Sequence, residues 1–206
     1  MVYPVARALP VLMVAVGDVL LGRMPTAVGW LGMAIVTVGC FAAPLESFRA
    51  LHPSAYLRRS TVWMLLAALG TVGYTLVDKT AAGFLRAGPV SAARYGYLYF
   101  VATGIFYTVL WPIFERKGSG PGTSRWSVAA LAALMIFGAY WLVLWAYQLV
   151  ERASYVVAFR QFSIVIGVIL AFLIYKEKGK AVRVTASLLI ALGLIIIVLW
   201  GAAPHR

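Results

Sequence analysis

The run VRVTASLLIALGLIIIVLW, Val182–Trp200, decides how this chain is read. Arg183, near its start, is its one ionisable residue, and it holds no lysine. A helix that crosses the hydrocarbon core of a bilayer needs roughly 20 mostly apolar residues, and this stretch is long enough. Comparable runs fall at Val2–Leu21, Thr26–Ala43, Ser60–Val77, Tyr95–Phe114, Trp126–Leu149 and Tyr155–Tyr175. Together they fill most of the 206 residues, of which 63% are hydrophobic, at a mean hydropathy of +0.92. In lipid every backbone N–H and C=O must pair within the chain, which selects helices or closed barrels. Barrel strands would show shorter segments of alternating polarity, and none occur. The sequence therefore predicts an all-α, polytopic transmembrane bundle of about seven spans, with the lipid bilayer as its first partner.

The net charge of +12 would suggest nucleic acid on a soluble protein. Here the basic residues are scattered through every loop, with no long basic block. Anionic headgroups are the better match, and no nucleic-acid partner is expected. Cys40 is the single cysteine and lies in an apolar run. It can make no intrachain disulfide, and no Cys/His metal spacing exists. No metal or cofactor is expected. No polar segment is long enough for a separate catalytic or nucleotide-binding module.

Other membrane classes fit poorly. A retinal protein needs a lysine inside the membrane, usually in its last helix, and Val182–Trp200 has none. An intramembrane enzyme would need a Gly-x-Ser-x-Gly elbow, paired acids or an HExxH motif. None is present, and the only histidines are His52 and His205. The chain reads as a non-enzyme.

The two ends of the sequence look alike. Tyr3, Val5 and Ala6 recur in spacing as Tyr155, Val157 and Ala158, and Arg7 then matches Arg160 after a short register change. Further on, Ala27, Val28 and Gly39 match Ala181, Val182 and Gly193. Each stretch is one span, a tight basic turn and a second span. The second copy closes a block of five spans; the first has none before it. A five-plus-five architecture would then lack three spans ahead of Met1. An odd number of helices per repeat inverts the second unit relative to the first, a device of secondary transporters.

At its C-terminal end the sequence resembles the EamA-type transporters of the drug/metabolite transporter superfamily. Tyr155, Val157 and Ala158 enter a span that carries Arg160, Ser163 and Gly167. Tyr175, Lys176 and Glu177 close it, and the last span holds Ala186, Ala191 and Gly193. Gly73, Tyr74, Asp78 and Lys79 are similar to the opening helix of the family's second repeat. The first hairpin departs from the pattern, with Arg23 where the family usually has a glutamate. The resemblance implies a five-plus-five inverted-repeat transporter fold. Residues 1–44 would be the last two helices of an incomplete first repeat, and residues 60–201 a complete second one. It implies secondary-active export of small organic solutes, such as amino acids or metabolites, by alternating access in a bacterial inner membrane. A non-transporting subunit, or a fragment completed by a partner, is the alternative. Assembly with like or unlike chains stays open.

Ionisable groups inside spans are costly to bury and so are functional candidates. Asp18 reads either as an ion-coupling carboxylate or as an interfacial residue paired with Arg23. Arg160 reads either as a fork for a substrate carboxylate or as a side chain snorkelling to the headgroups. Asp78 and Tyr74 are four residues apart and share a helical face, either lining a pathway or ending a helix at the interface with Lys79. Tyr140 and Trp141 lie mid-span, where an aromatic belt does not explain them. They could stack on a solute. The expected substrate contacts are Tyr74, Tyr97, Tyr140, Trp141 and Arg160, with Asp18 and Asp78 as the coupling acids. Gly29, Gly32, Gly39, Gly70, Gly73, Ala129 and Ala133 are expected to permit close helix approach. The Gly118–Gly122 segment reads as a flexible loop.

Overall fold

The computed structural model describes residues 2–43, 45, 59–114, 125–175 and 180–201. They form eight helices, and no strand occurs among the described residues: α1 (Val2–Leu20), α2 (Ala27–Ala42), α3 (Arg59–Phe84), α4 (Pro89–Phe114), α5 (Trp126–Leu149), α6 (Ala153–Arg160), α7 (Phe162–Tyr175) and α8 (Lys180–Trp200). The side chains of residues 1–7, the Gly118–Gly122 loop, the Lys176–Glu177 turn and both histidines lie outside the described residues. Helices fill the seven expected runs, so the all-α reading holds. Among the described residues, four stretches are long and apolar enough to cross a membrane: Pro89–Ile113, Trp126–Leu149, Ala153–Ile174 and Ala181–Trp200. Ala8–Leu20 and Ala27–Ala42 are shorter apolar helices.

Two boundaries differ from the sequence reading, each for a physical reason. The sixth run is not one continuous helix. It breaks at Gln161, whose N–H turns back to Ala158 O at 3.0 Å, while Ile164 N–H reaches Gln161 O at 2.9 Å. Short i→i+3 bonds of this kind mark a tightened turn inside a helical stretch. Hydropathy alone cannot register it, because Phe159 and Phe162 on either side are apolar. The third run also continues as helix past Val77 to Phe84. Asp78 and Lys79 sit inside it because their polar groups find partners, described below.

The chain divides into two compact units, Met1–Val77 with Val150–Arg206, and Asp78–Leu149. In the first unit α2 packs most closely on α8, and α1 lies against α2 and α6. The core is apolar, with Val11, Val14, Met33, Val36, Ala186 and Ile190 fully buried. Glycine sets the α2–α8 approach. A Cβ on Gly193 would sit 2.6 Å from Gly32 O and 2.7 Å from Val36 Cγ2. A Cβ on Gly39 would sit 2.9 Å from Ala186 O and 2.7 Å from Ile190 Cγ1. The contact is reciprocal. The offset that carries Gly39 to Gly193 also carries Gly32 to Ala186 and Val36 to Ile190. Each helix therefore offers its partner the equivalent residues, as a two-fold axis requires. Without a hydrophobic drive between helices in lipid, such close backbone contact through small residues is what holds them. The expectation for small residues holds at Gly29, Gly32 and Gly39. It fails at Gly70 and Gly73, which have nothing within 4 Å, and at Ala129 and Ala133, which are exposed.

In the second unit α4 lies against α5. Pro89 starts α4 at a position where a missing N–H costs nothing. Gly88, at φ +147, precedes it in a conformation that favours glycine. Its N–H donates to Gln148 Oε1 at 2.9 Å.

Candidate functional site

The polar centre of the second unit is a buried carboxylate. Asp78 is 1% exposed. Tyr95, from α4, donates its hydroxyl to Asp78 Oδ1 at 2.8 Å, and Tyr140, from α5, donates to Asp78 Oδ2. One acid thus ties three helices of this unit through its two oxygens. Charge-assisted bonds of this type are stronger than neutral ones, and they offset part of the cost of burying a carboxylate. The next residue, Lys79, is also buried and donates Nζ to Tyr147 O at 2.7 Å, near the C-terminal end of α5. Free carbonyls at a helix C-terminus favour a cation there.

Aromatic rings pack against Tyr140. Tyr99 stacks on Tyr140 with centroids 5.1 Å apart, and Phe100 meets the same ring edge-on at 5.8 Å. Phe137 packs against Phe100 at 5.8 Å. The group can hold a charged carboxylate with two O–H donors. It can also hold a protonated one, because a phenol hydroxyl serves as donor or acceptor. These are the properties an ion-coupling acid needs.

The expected site residues divide sharply. Asp78 and Tyr140 are brought together. Tyr95, which the sequence reading did not single out, supplies the second hydroxyl. Trp141, next to Tyr140, uses its indole N–H on Pro89 O at 2.8 Å and stacks on Trp145. Tyr97 is 64% exposed on the outer face of α4. Tyr74 and Arg160 are half-buried, on α3 and at the end of α6. Both fall in the first unit.

Asp18 makes a contact that neither sequence reading anticipated. It is fully buried, and its carboxylate accepts Ser154 N–H at 2.8 Å and Ala153 N–H at 3.3 Å. α6 has no side-chain cap of its own at Arg152, so Asp18 supplies one from α1. The unpaired amides and the positive end of the helix both favour this. The pairing with Arg23 is replaced by a backbone contact: Arg23 N–H reaches Asp18 O at 2.7 Å, and Gly22 N–H reaches Val19 O at 3.0 Å. With Gly22 at φ +76, this is a Schellman ending for α1.

A buried acid shared by tyrosines, among apolar helices long enough to span lipid, is a candidate functional group of an integral membrane protein. The chain matches the EamA-like transporter family over residues 58–199 and belongs to that family. It is a membrane transporter of the drug/metabolite transporter superfamily, with the bilayer and a small molecule as its partners. Transport, not catalysis, is the activity of that family. No curated protein and no solved structure matches the chain.

Proposed function

We propose that this protein is a secondary-active exporter of small organic solutes, of the amino-acid or metabolite kind, working by alternating access in a bacterial inner membrane. The family match carries the reading, and the Asp78 group supplies a place for coupling. In this reading Asp78 is the coupling acid, and Tyr95 and Tyr140 hold it in either protonation state. Tyr140, Tyr99 and Phe100 offer an aromatic wall to the solute, and Trp141 fixes the α4–α5 geometry beside it. Tyr74 and Arg160 are further candidates for contact with a solute, and Arg160 is suited to a carboxylate through its planar fork. Asp18 is engaged by two backbone amides and is a poor choice for a group that must exchange protons.

Residues 1–44 and residues 60–201 are, on this proposal, parts of two inverted repeats. The reciprocal glycine contacts of α2 and α8 support it, since they pair equivalent positions.

The test is efflux from proteoliposomes loaded with a panel of labelled amino acids, under an imposed proton gradient. Asp78→Asn should cut gradient-driven efflux by at least about tenfold while leaving membrane insertion unchanged, since it removes the carboxylate on which the cluster is built. Arg160→Ala should abolish efflux of carboxylate solutes. Undiminished, gradient-sensitive efflux by Asp78→Asn would remove the acid from the mechanism.

A further inference from the structure

One end of the first unit is tied by polar contacts, unlike the apolar α2–α8 seam. Four helix ends meet there. Asp18, at the end of α1, caps the start of α6 through the N–H groups of Ala153 and Ser154. Arg152, 8% exposed, donates Nε to Met24 O at 2.8 Å and lies 5.6 Å from the centre of the Tyr155 ring. Tyr155 donates its hydroxyl to Gly201 O at 2.8 Å, just past α8, and Thr26 Oγ1 donates to the same oxygen at 3.2 Å. Thr26 also accepts Gly29 N–H at 3.0 Å, capping α2. A Cβ on Gly29 would collide with the Tyr155 hydroxyl, so glycine makes room for this contact.

Three features distinguish this knot from a static joint. Its links are hydrogen bonds to backbone groups at helix ends, one or two from each side chain, each limited in net worth. It leaves two donors unused: among the described residues, Arg23 Nη1 and Ser154 Oγ are buried without a hydrogen-bond partner. Buried polar atoms are rarely left so, and a second arrangement in which they gain partners or water has that much in its favour. Finally, the break at Gln161 separates α6, whose residues Ala153–Ala158 are all buried, from the largely exposed α7. The break thus falls between two parts of the span that differ in burial.

We propose that this knot is a latch, which holds one end of the unit closed and is released during the transport cycle, with Asp18, Arg152 and Tyr155 as its positioning residues. The proposal rests on the transport reading above. It gives the span containing Arg160 two parts with separate duties. Ala153–Arg160 carries the latch, and Phe162–Tyr175 follows the surrounding helices.

Two measurements test it. In nanodiscs, hydrogen exchange of the unmodified chain should show Ala153, Ser154 and Gly29 opening together, at least about tenfold more often than Val36 and Ile190 in the α2–α8 seam. Tyr155→Phe should speed the first group by about fivefold, the worth of one hydrogen bond, and leave the seam unchanged. Equal protection of knot and seam would overturn the latch. The second measurement locks it. In the Asp18→Cys/Ser154→Cys pair on a Cys40→Ala background, oxidation should stop efflux of tritiated amino acids and reduction should restore it. Oxidised protein that transports as well as reduced protein would show a fixed joint and end the proposal. If the unmodified chain carries none of the labelled amino acids, the transport reading falls, and the exchange pattern alone decides whether the knot opens.

Discussion

The α2–α8 seam and the α4–α5 pair are both contacts between apolar helices, yet they are built on opposite principles. In the seam, backbone meets backbone through Gly32, Gly39 and Gly193. In the other pair, rings stack, Trp141 bonds to Pro89 O, and two tyrosines share the Asp78 carboxylate. The first fixes a distance and leaves nothing to ionise. The second places a charge among aromatic faces and is mostly exposed around it. A lipid-embedded protein can thus separate stiffness from chemistry: small residues give the one, and buried acids with hydroxyl partners give the other.

The largest effect should come from filling the seam. In Gly193→Leu the new side chain meets Gly32 O and Val36 N, which are backbone atoms and cannot swing aside. The expected loss is about 3 kcal/mol or more, at the upper end for overpacking, read as a lowered unfolding midpoint in detergent. Gly167→Ala is the matched control, since nothing lies within 4 Å of that position, and it should be neutral or slightly stabilising. Similar losses at both sites would break the contrast between the seam and the rest.

Next comes the acid. Asp78→Asn weakens two charge-assisted hydrogen bonds at once, and bonds to charged groups are worth about 1.5–3 kcal/mol each before relaxation. A net loss of about 2 kcal/mol is expected. A double-mutant cycle with Tyr140→Phe should give a coupling energy of about 1 kcal/mol, within the range for residues in contact. Additive effects would mean that the hydroxyl and the carboxylate do not act as a pair. Smaller again is Trp141→Phe, which keeps a ring but loses the N–H to Pro89 O. It should cost about 1 kcal/mol in the same assay.

Much of this was legible in the sequence, for reasons that can be named. Apolar run lengths located the helices because lipid leaves the backbone few alternatives. Gly32 and Gly39 were legible as close-approach residues, but Gly70 and Gly73 carry the same signal and touch nothing. Composition does not say which face of a helix meets a neighbour. The acid–tyrosine group was half legible. Tyr74 was paired with Asp78 by spacing on one helix, while the hydroxyl that reaches Oδ1 comes from Tyr95 on the next. Helical geometry held a usable clue: Tyr95 and Tyr99 are four apart and share a face, and Tyr97 between them points away. The break at Gln161 and the capping of α6 by Asp18 were not legible. The first lies in continuous apolar sequence, and the second joins residues more than 130 positions apart.

That facial argument yields the smallest and most discriminating prediction. Tyr97 lies in the same run as Tyr95 and Tyr99 and was expected to touch substrate, but it is 64% exposed on the outer face of α4. An exposed position away from caps, charges and close contacts usually changes stability by less than about 0.5 kcal/mol. Tyr97→Phe should therefore leave both the unfolding midpoint and efflux within error of the unmodified chain, while Tyr95→Phe, two residues away, lowers both by removing a donor from Asp78. The pair of variants differs only in which side of one helix loses a hydroxyl. If Tyr97→Phe proves the more damaging of the two, α4 is rotated from the orientation described, and the Asp78 group loses its Tyr95 contact with it.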